Sequence, residues 1–225
     1  SEIFLFLFLP PIFFIKASYV TSDLIEQSIQ AGIANKKKRI KINQKAISSY
    51  KDLIDHFRIV FVSEDDLEIV KGNPEKRRTF IDQAISLIKP IYLNKLKKFK
   101  NILQNRNALL KHNKLDKEMF NLWTENLWTE SLEIQKTRID LLAQLEQRVN
   151  KLIESHFQNN FSISFKYISK INDNKSFDSF VKKNQPLFDQ EQRYQRTLFG
   201  AHLEDFICNF NDKKSKLFAS RGQQK

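Results

Sequence analysis

The chain has 225 residues, 41% of them hydrophobic, with four glycines and five prolines; this excludes a disordered chain and favours long helices over a loop-rich β fold. The formal net charge of +12 suits a polyanionic partner, either nucleic acid or an anionic membrane. The single cysteine, Cys208, excludes an internal disulfide or a cysteine zinc cluster and fits a reducing cytoplasm.

Residues Ile3 to Ile15 are almost entirely apolar but are broken by Pro10 and Pro11. The run is too short for a membrane helix, which needs about 20 residues, and it lacks the basic flank and cleavage site of a signal peptide. It reads as a core strand or helix cut from its context, or as a translation artefact; Ser1 stands where a start methionine would. Charged and apolar residues alternate from Lys38 to Asn43, which predicts a half-exposed strand. Phe57 to Val62 reads as a buried strand, followed by a short helix capped by Ser63 with Asp66 and ended by Gly72. Ile59 to Val62 before Glu64 and Asp65 could imitate a Walker B strand, but the cap residues favour the strand-and-helix reading.

Asn73, Pro74 and Glu75 then form a helix start: a capping side chain, a proline suited to the first turn, and an acid at the positive end of the dipole. The apolar face of this helix is Phe80, Ile81, Ala84, Ile85 and Ile88, and Pro90 ends it. Tyr92, Leu96, Phe99, Leu103 and Leu110 form a packing seam with one step skipped at Arg106. After a break at His112 to Asp116, a long helix is predicted from Lys117 to Phe157, with Ile134, Leu141, Leu145, Val149 and Leu152 on its seam. Two long helices joined by a short connection predict an antiparallel arm. The repeated pentapeptide Asn-Leu-Trp-Thr-Glu at 121–125 and 126–130 fits neither helical nor strand packing and is treated as an accident. Beyond the arm the period changes to two, at Phe161, Ile163, Phe165 and Tyr167 and at Phe206, Cys208 and Phe210; Asn211 and Asp212 supply a turn before Leu217 and Phe218. Strands thus flank the helical insertion and are expected to share one layer.

The four histidines have no ligand-type spacing, so neither a metal site nor a catalytic residue is expected. Lys36, Lys37, Lys38 and Arg39 cluster near the first predicted strand; Lys97 and Lys98 lie in a stretch where, from Lys89 to Lys117, nine basic residues meet one acid, and Arg77 and Arg78 precede it. These eight are the candidate DNA contacts, made to backbone phosphates rather than bases. A P-loop requires two glycines five residues apart followed by lysine, and Gly32, Gly72, Gly200 and Gly222 offer no such pair.

The tail Phe218-Ala-Ser220-Arg-Gly222-Gln223-Gln-Lys225 resembles the signature motif of the ABC, SMC and RecF ATPases. Phe61 to Gly72, Pro74, Arg77-Arg78, Phe80 and Asp82 follow the pattern of the RecF family. Arg106-Asn107, Trp123, Leu127, Arg138 and the stretch Thr197 to Asp205 continue it in order, with Ser22-Asp23-Leu24 similar to an early loop. Within the last stretch Ala201, Leu203 and Glu204 replace the family's Pro, Arg and Asp, which removes whatever that arginine does. The resemblance spans about residues 16–225.

The resemblance implies an α/β fold: part of an ABC-type ATPase lobe, a mixed sheet with helices, carrying an inserted arm of antiparallel long helices. Residues 1–72 would belong to the ATPase lobe, 73–158 to the arm, and 159–225 to the return into the lobe. It implies a fragment lacking Walker A and Walker B, from a cytoplasmic, ATP-binding protein of weak ATPase activity rather than an enzyme in this chain. ATP, with Mg in the intact protein, would meet Ser220, Gly222 and Gln223 across a homodimer. The implied partners are DNA at single-strand gaps and junctions, RecR, RecO and RecA, in recombinational repair and the SOS response, with no membrane. The alternatives are an SMC-like architectural ATPase, which a two-helix arm of about 70 residues disfavours, and a nonfunctional gene remnant.

Overall fold

The computed structural model describes residues 4–8, 13–20, 26–34, 37–47, 49, 53, 68–112, 116–156, 161–171, 176–211 and 213–214. The chain divides into two compact units, Ser1–Ile59 and Val60–Lys225.

The first unit holds a five-stranded antiparallel meander, in which each strand pairs with its neighbours in sequence: β1 (Phe4–Phe8), β2 (Phe13–Val20), β3 (Glu26–Ala34), β4 (Lys37–Ile42) and β5 (Lys45–Ile47). The described parts of the apolar N-terminal run, Phe4–Phe8 and the start of β2, are therefore strand, not helix. The alternation expected from Lys38 is β4, where Lys37, Lys38 and Arg39 are exposed and Ile42 is 4% exposed. Asn43 and Gln44 both take positive φ, the geometry of a two-residue hairpin turn between β4 and β5. Asn43 also acts as one more rung of the β3–β4 pairing. Its N–H donates to the Ser28 carbonyl at 2.9 Å, and its Oδ1 accepts from the Ser28 N–H at 2.8 Å.

The second unit begins, among the described residues, with the short α1 (Glu68–Lys71), which closes where the Gly72 N–H donates to the Glu68 carbonyl at 2.8 Å. A side chain at Gly72 would collide with that carbonyl, so glycine is required. α2 (Pro74–Ile88) starts as its sequence predicts, with Asn73 Oδ1 accepting from the Lys76 N–H at 3.1 Å. Its apolar face is narrower than expected: Ile81 and Ile85 are buried, while Phe80 is 38% and Ile88 57% exposed. α3 (Tyr92–Leu110) packs antiparallel on the 40-residue α4 (Lys117–His156), which is about 60 Å long at 1.5 Å per residue. The expected α4 seam holds at Ile134 and Leu141 but not at Leu152, which is 59% exposed. α5 (Phe177–Lys183) and α6 (Gln185–Tyr194) follow the strand β6 (Ile163–Ile168), which pairs with β7 (Asp205–Phe210). Asn211, at φ +47, turns β7 into β8 (Lys213–Lys214).

Every described strand pair is antiparallel, and the strands form two separate sheets. The α/β class expected from the sequence holds, with antiparallel sheets and helices, and each described strand takes its described partners from its own unit. Phe57 to Val62, Ser63 with Asp66, and Leu217-Phe218 lie outside the described residues. The core joins α2, α3 and α4 to β7 and to the aromatic cluster Phe180, Phe188 and Phe199. No helix among the described residues is long and apolar enough to cross a membrane.

Candidate functional site: an arginine-anchored loop and a lysine face

The loop from Thr197 to Glu204 leads into β7 and is gripped by arginines from all three long helices. Arg106 of α3 occupies the step skipped in the apolar seam. Its side chain and that of Glu191 are both 0% exposed, and the two are joined at 2.5 Å. Arg106 Nε donates to Thr124 Oγ1 at 3.0 Å and Nη1 to Thr197 Oγ1 at 2.8 Å. The guanidinium lies over the rings of Phe120 and Phe199, 4.5 and 4.8 Å from their centroids. Burial lowers the Arg106 pKa, and the Glu191 carboxylate opposes that shift. The second Glu191 oxygen accepts the Leu198 N–H at 2.6 Å, so one buried carboxylate fixes both the arginine and the loop.

On α4, Thr124, Ser131 and Arg138 recur every seventh residue on the buried face. Thr124 reaches the loop through Arg106. Ser131 Oγ accepts the Ala201 N–H at 3.3 Å, and Arg138 Nη1 donates to the Ala201 carbonyl at 2.8 Å. Arg138 also forms a two-pronged pair with Asp82, at 2.9 Å on each prong. Burial works against the Arg138 charge, but Asp82 overrides it and holds the pKa above the ordinary arginine range. Tyr92 donates to the same carboxylate at 2.8 Å. Tyr167 and Ser169 both donate to Glu204, at 2.5 Å each, and burial raises the pKa of that carboxyl. Gly200 sits at φ +111 with Ser131 Oγ 3.1 Å from where a Cβ would lie; both the conformation and the space favour glycine.

The candidate DNA contacts divide. Arg77 is bidentate to Asp205, at 2.7 and 2.8 Å, and donates to the Gly72 carbonyl at 2.8 Å. Arg78 donates to the Glu204 carbonyl at 2.8 Å. Both guanidiniums are thus engaged in holding the entry to β7. Lys98 pairs with Glu130 at 2.5 Å and Lys95 with Glu133 at 2.9 Å, two rungs between α3 and α4. Lys97 is exposed, as are Lys37, Lys38 and Arg39. Lys36 lies outside the described residues, and so do Ser220, Gly222 and Gln223. Among the described residues no cluster of three or more His, Cys, Asp or Glu side chains could hold a metal ion.

Sequence reasoning missed the buried pair of Arg106 and Glu191 and the separate buried group of Glu204 with Tyr167 and Ser169. The available signal was the interrupted seam: a polar residue at a core step calls for a buried partner.

No protein-family model matches the chain. The DNA replication and repair protein RecF of Clostridium perfringens is 31% identical over 208 residues, covering 92% of this chain and 58% of that protein. The RecF of an Exiguobacterium species is 29% identical, with 88% and 56% coverage. Among solved structures, the recombination mediator protein RecF-ATP in the RecFOR pathway superposes with a TM-score of 0.81 at 26% identity, covering 95% of this chain and 59% of that one. A second RecF structure, described as RecF-ATPrS, gives 0.82 at 25%. The resemblance read from the sequence is borne out across this span, and the chain accounts for a little under three fifths of the length of these relatives.

Proposed function

We propose, from the premise that 92% of this chain aligns with RecF proteins on a shared fold, that it is the arm-bearing part of a RecF-like DNA replication and repair protein. The observation that carries this is the continuous match through arm and flanking strands, at 31% identity in sequence and a TM-score of 0.81 in structure. The arm supports a RecF-like protein over a long-armed architectural ATPase, because α3 is only 19 residues long.

In this reading the exposed cations of β4 and α3 meet DNA phosphates, and binding depends on salt rather than on sequence. Ser220, Gly222 and Gln223 present a hydroxyl and backbone amides to ATP held, with Mg, by a second copy. ATP then acts mainly as the ligand that closes a homodimer on DNA at single-strand gaps and junctions. Partners of the RecR, RecO and RecA kind, a place in the SOS response and a cytoplasmic location belong to the same proposal.

A chimera tests it: this chain replaces the 208 aligned residues of the Clostridium perfringens relative, and the gene is returned to a strain lacking its own RecF. Restored survival after ultraviolet damage is expected, together with ATP-dependent dimerisation that Ser220→Arg abolishes. A folded chimera that binds ATP yet neither dimerises nor restores survival would overturn the proposal.

A further inference from the structure

The lysines of α3 separate into two populations on opposite terms. Lys95 and Lys98 are spent on Glu133 and Glu130 of α4. Lys97, Lys100 and Lys111 stand at steps of three and eleven, so they share one face of the helix with Gln104. That face lies opposite the buried Phe99, Arg106 and Leu110. All four of its residues are exposed, and Lys111, the C-cap, keeps helical φ and ψ and so continues the same phase. α3 contains no acidic residue to neutralise the row. Fourteen residues separate Lys97 from Lys111, about 21 Å at 1.5 Å per residue.

We infer that this outer face of α3 is a phosphate-tracking stripe that lays the backbone of duplex DNA lengthwise along the arm, through Lys97, Lys100 and Lys111. The inference rests on the DNA-binding reading above and assigns it to particular residues, two of which, Lys100 and Lys111, the sequence did not single out. The chemistry of the face selects the ligand. Between the lysines stand Asn101, Gln104 and Ala108, with no aromatic ring on which single-stranded bases could stack. Nor is there a large apolar side chain to enter a bilayer, as an interfacial helix requires. What remains is a straight row of point charges flanked by amides, suited to a stiff, regularly charged strand and indifferent to base sequence.

The test is fluorescence anisotropy of a labelled 25-base-pair duplex against salt concentration, using the whole chain. Three phosphate contacts account for about 2.7 units of the slope of log K against log salt. The triple variant Lys97→Gln, Lys100→Gln, Lys111→Gln is expected to lower the slope by about 2 to 3. A charge-matched control, Lys151→Gln, Lys166→Gln, Lys182→Gln, removes three exposed lysines from elsewhere and is expected to change it by less than one. Neutralising the rungs in pairs, Lys95→Gln with Glu133→Gln and Lys98→Gln with Glu130→Gln, should leave it unchanged. Equal effects of the two triples would show that bulk charge binds the DNA and would overturn the stripe alone. A wild-type chain with no salt-sensitive binding would overturn the DNA-binding reading as well. Circular dichroism melting of each variant separates lost contacts from lost fold.

Discussion

At the scale of single residues, the Arg106–Glu191 pair is the strongest commitment in the protein. Two charges with no exposure are stable only because each of the three Arg106 nitrogens and both Glu191 oxygens has a partner. Arg106→Met is expected to destabilise the fold by about 3–5 kcal/mol, since it strands the Glu191 carboxylate. Arg106→Met with Glu191→Leu should recover most of that loss. Thr124 keeps the Phe120 carbonyl and Thr197 keeps Asn107, so only the Leu198 N–H is left without its acceptor. Urea unfolding of the two variants checks this, and a double variant no better than the single one would contradict it. His202 offers a second test. Burial, then the arginines at 78, 106 and 138, lower its pKa to about 4, against an opposing bond to the Thr197 main chain. Its imidazole Nδ1 is buried without a partner. The folded pKa lies below the unfolded value of about 6.5, so the unfolded chain takes up the proton first. The stability this contributes is present above pH 6.5 and is lost as pH falls toward 4, with a slope of at most about 1.4 kcal/mol per pH unit. His202→Gln should flatten that slope between pH 6.5 and 5 in urea melts, where most carboxylates have yet to titrate.

At the scale of elements, local chemistry was legible and distant pairing was not. The cap at Asn73, the break before Lys117, and the alternation of β6 and β7 are written in neighbouring residues, and each appears where those residues put it. Arg77, Arg78 and Lys98 read as free cations because their partners, Asp205, Glu204 and Glu130, stand 128, 126 and 32 residues away. Phe80, Ile88 and Leu152 show the converse: helical spacing says which residues share a side, not how wide the neighbouring surface is. The β6 edge carries a device that periodicity also hides. Asn150 of α4 donates to the Ile163 carbonyl and accepts the Ile163 N–H, both at 2.8 Å, and Glu146 accepts the Phe165 N–H at 2.8 Å. Side chains one helical turn apart thus stand in for a neighbouring strand and close an edge that would otherwise recruit one. Asn150→Leu leaves both Ile163 groups unpaired and is expected to promote concentration-dependent self-association, read by light scattering. A variant that stays monodisperse at the highest soluble concentration would show that the edge is protected by other means.

At the scale of the whole molecule, charge and helix content pointed to the class of protein, while the boundary between units was not legible, because no glycine- or proline-rich linker marks it. Among the residues whose burial is described, the units differ in the distribution of buried apolar groups. The hydrophobic cluster runs from Ile81 to Phe206, entirely within residues 60–225. In residues 1–59, Ile42 is the one buried hydrophobic among those whose burial is described. The second unit also contains its own charge partners, since Arg77, Arg106 and Arg138 find Asp205, Glu191 and Asp82 inside it. A unit that holds both its core and the counter-charges of its buried arginines has what cooperative folding requires. The segment 60–225, expressed alone, is therefore expected to fold, with a single urea transition and strong helical dichroism. The segment 1–59 alone, with 59 residues, lies below the size at which a single core usually gives more than about 3–5 kcal/mol, and it should show no cooperative transition. In the intact chain, protease should then remove the first unit before cutting the second, leaving a resistant product that begins near Val60. Simultaneous loss of both units, with no intermediate product, would show that the second unit draws its stability from the first.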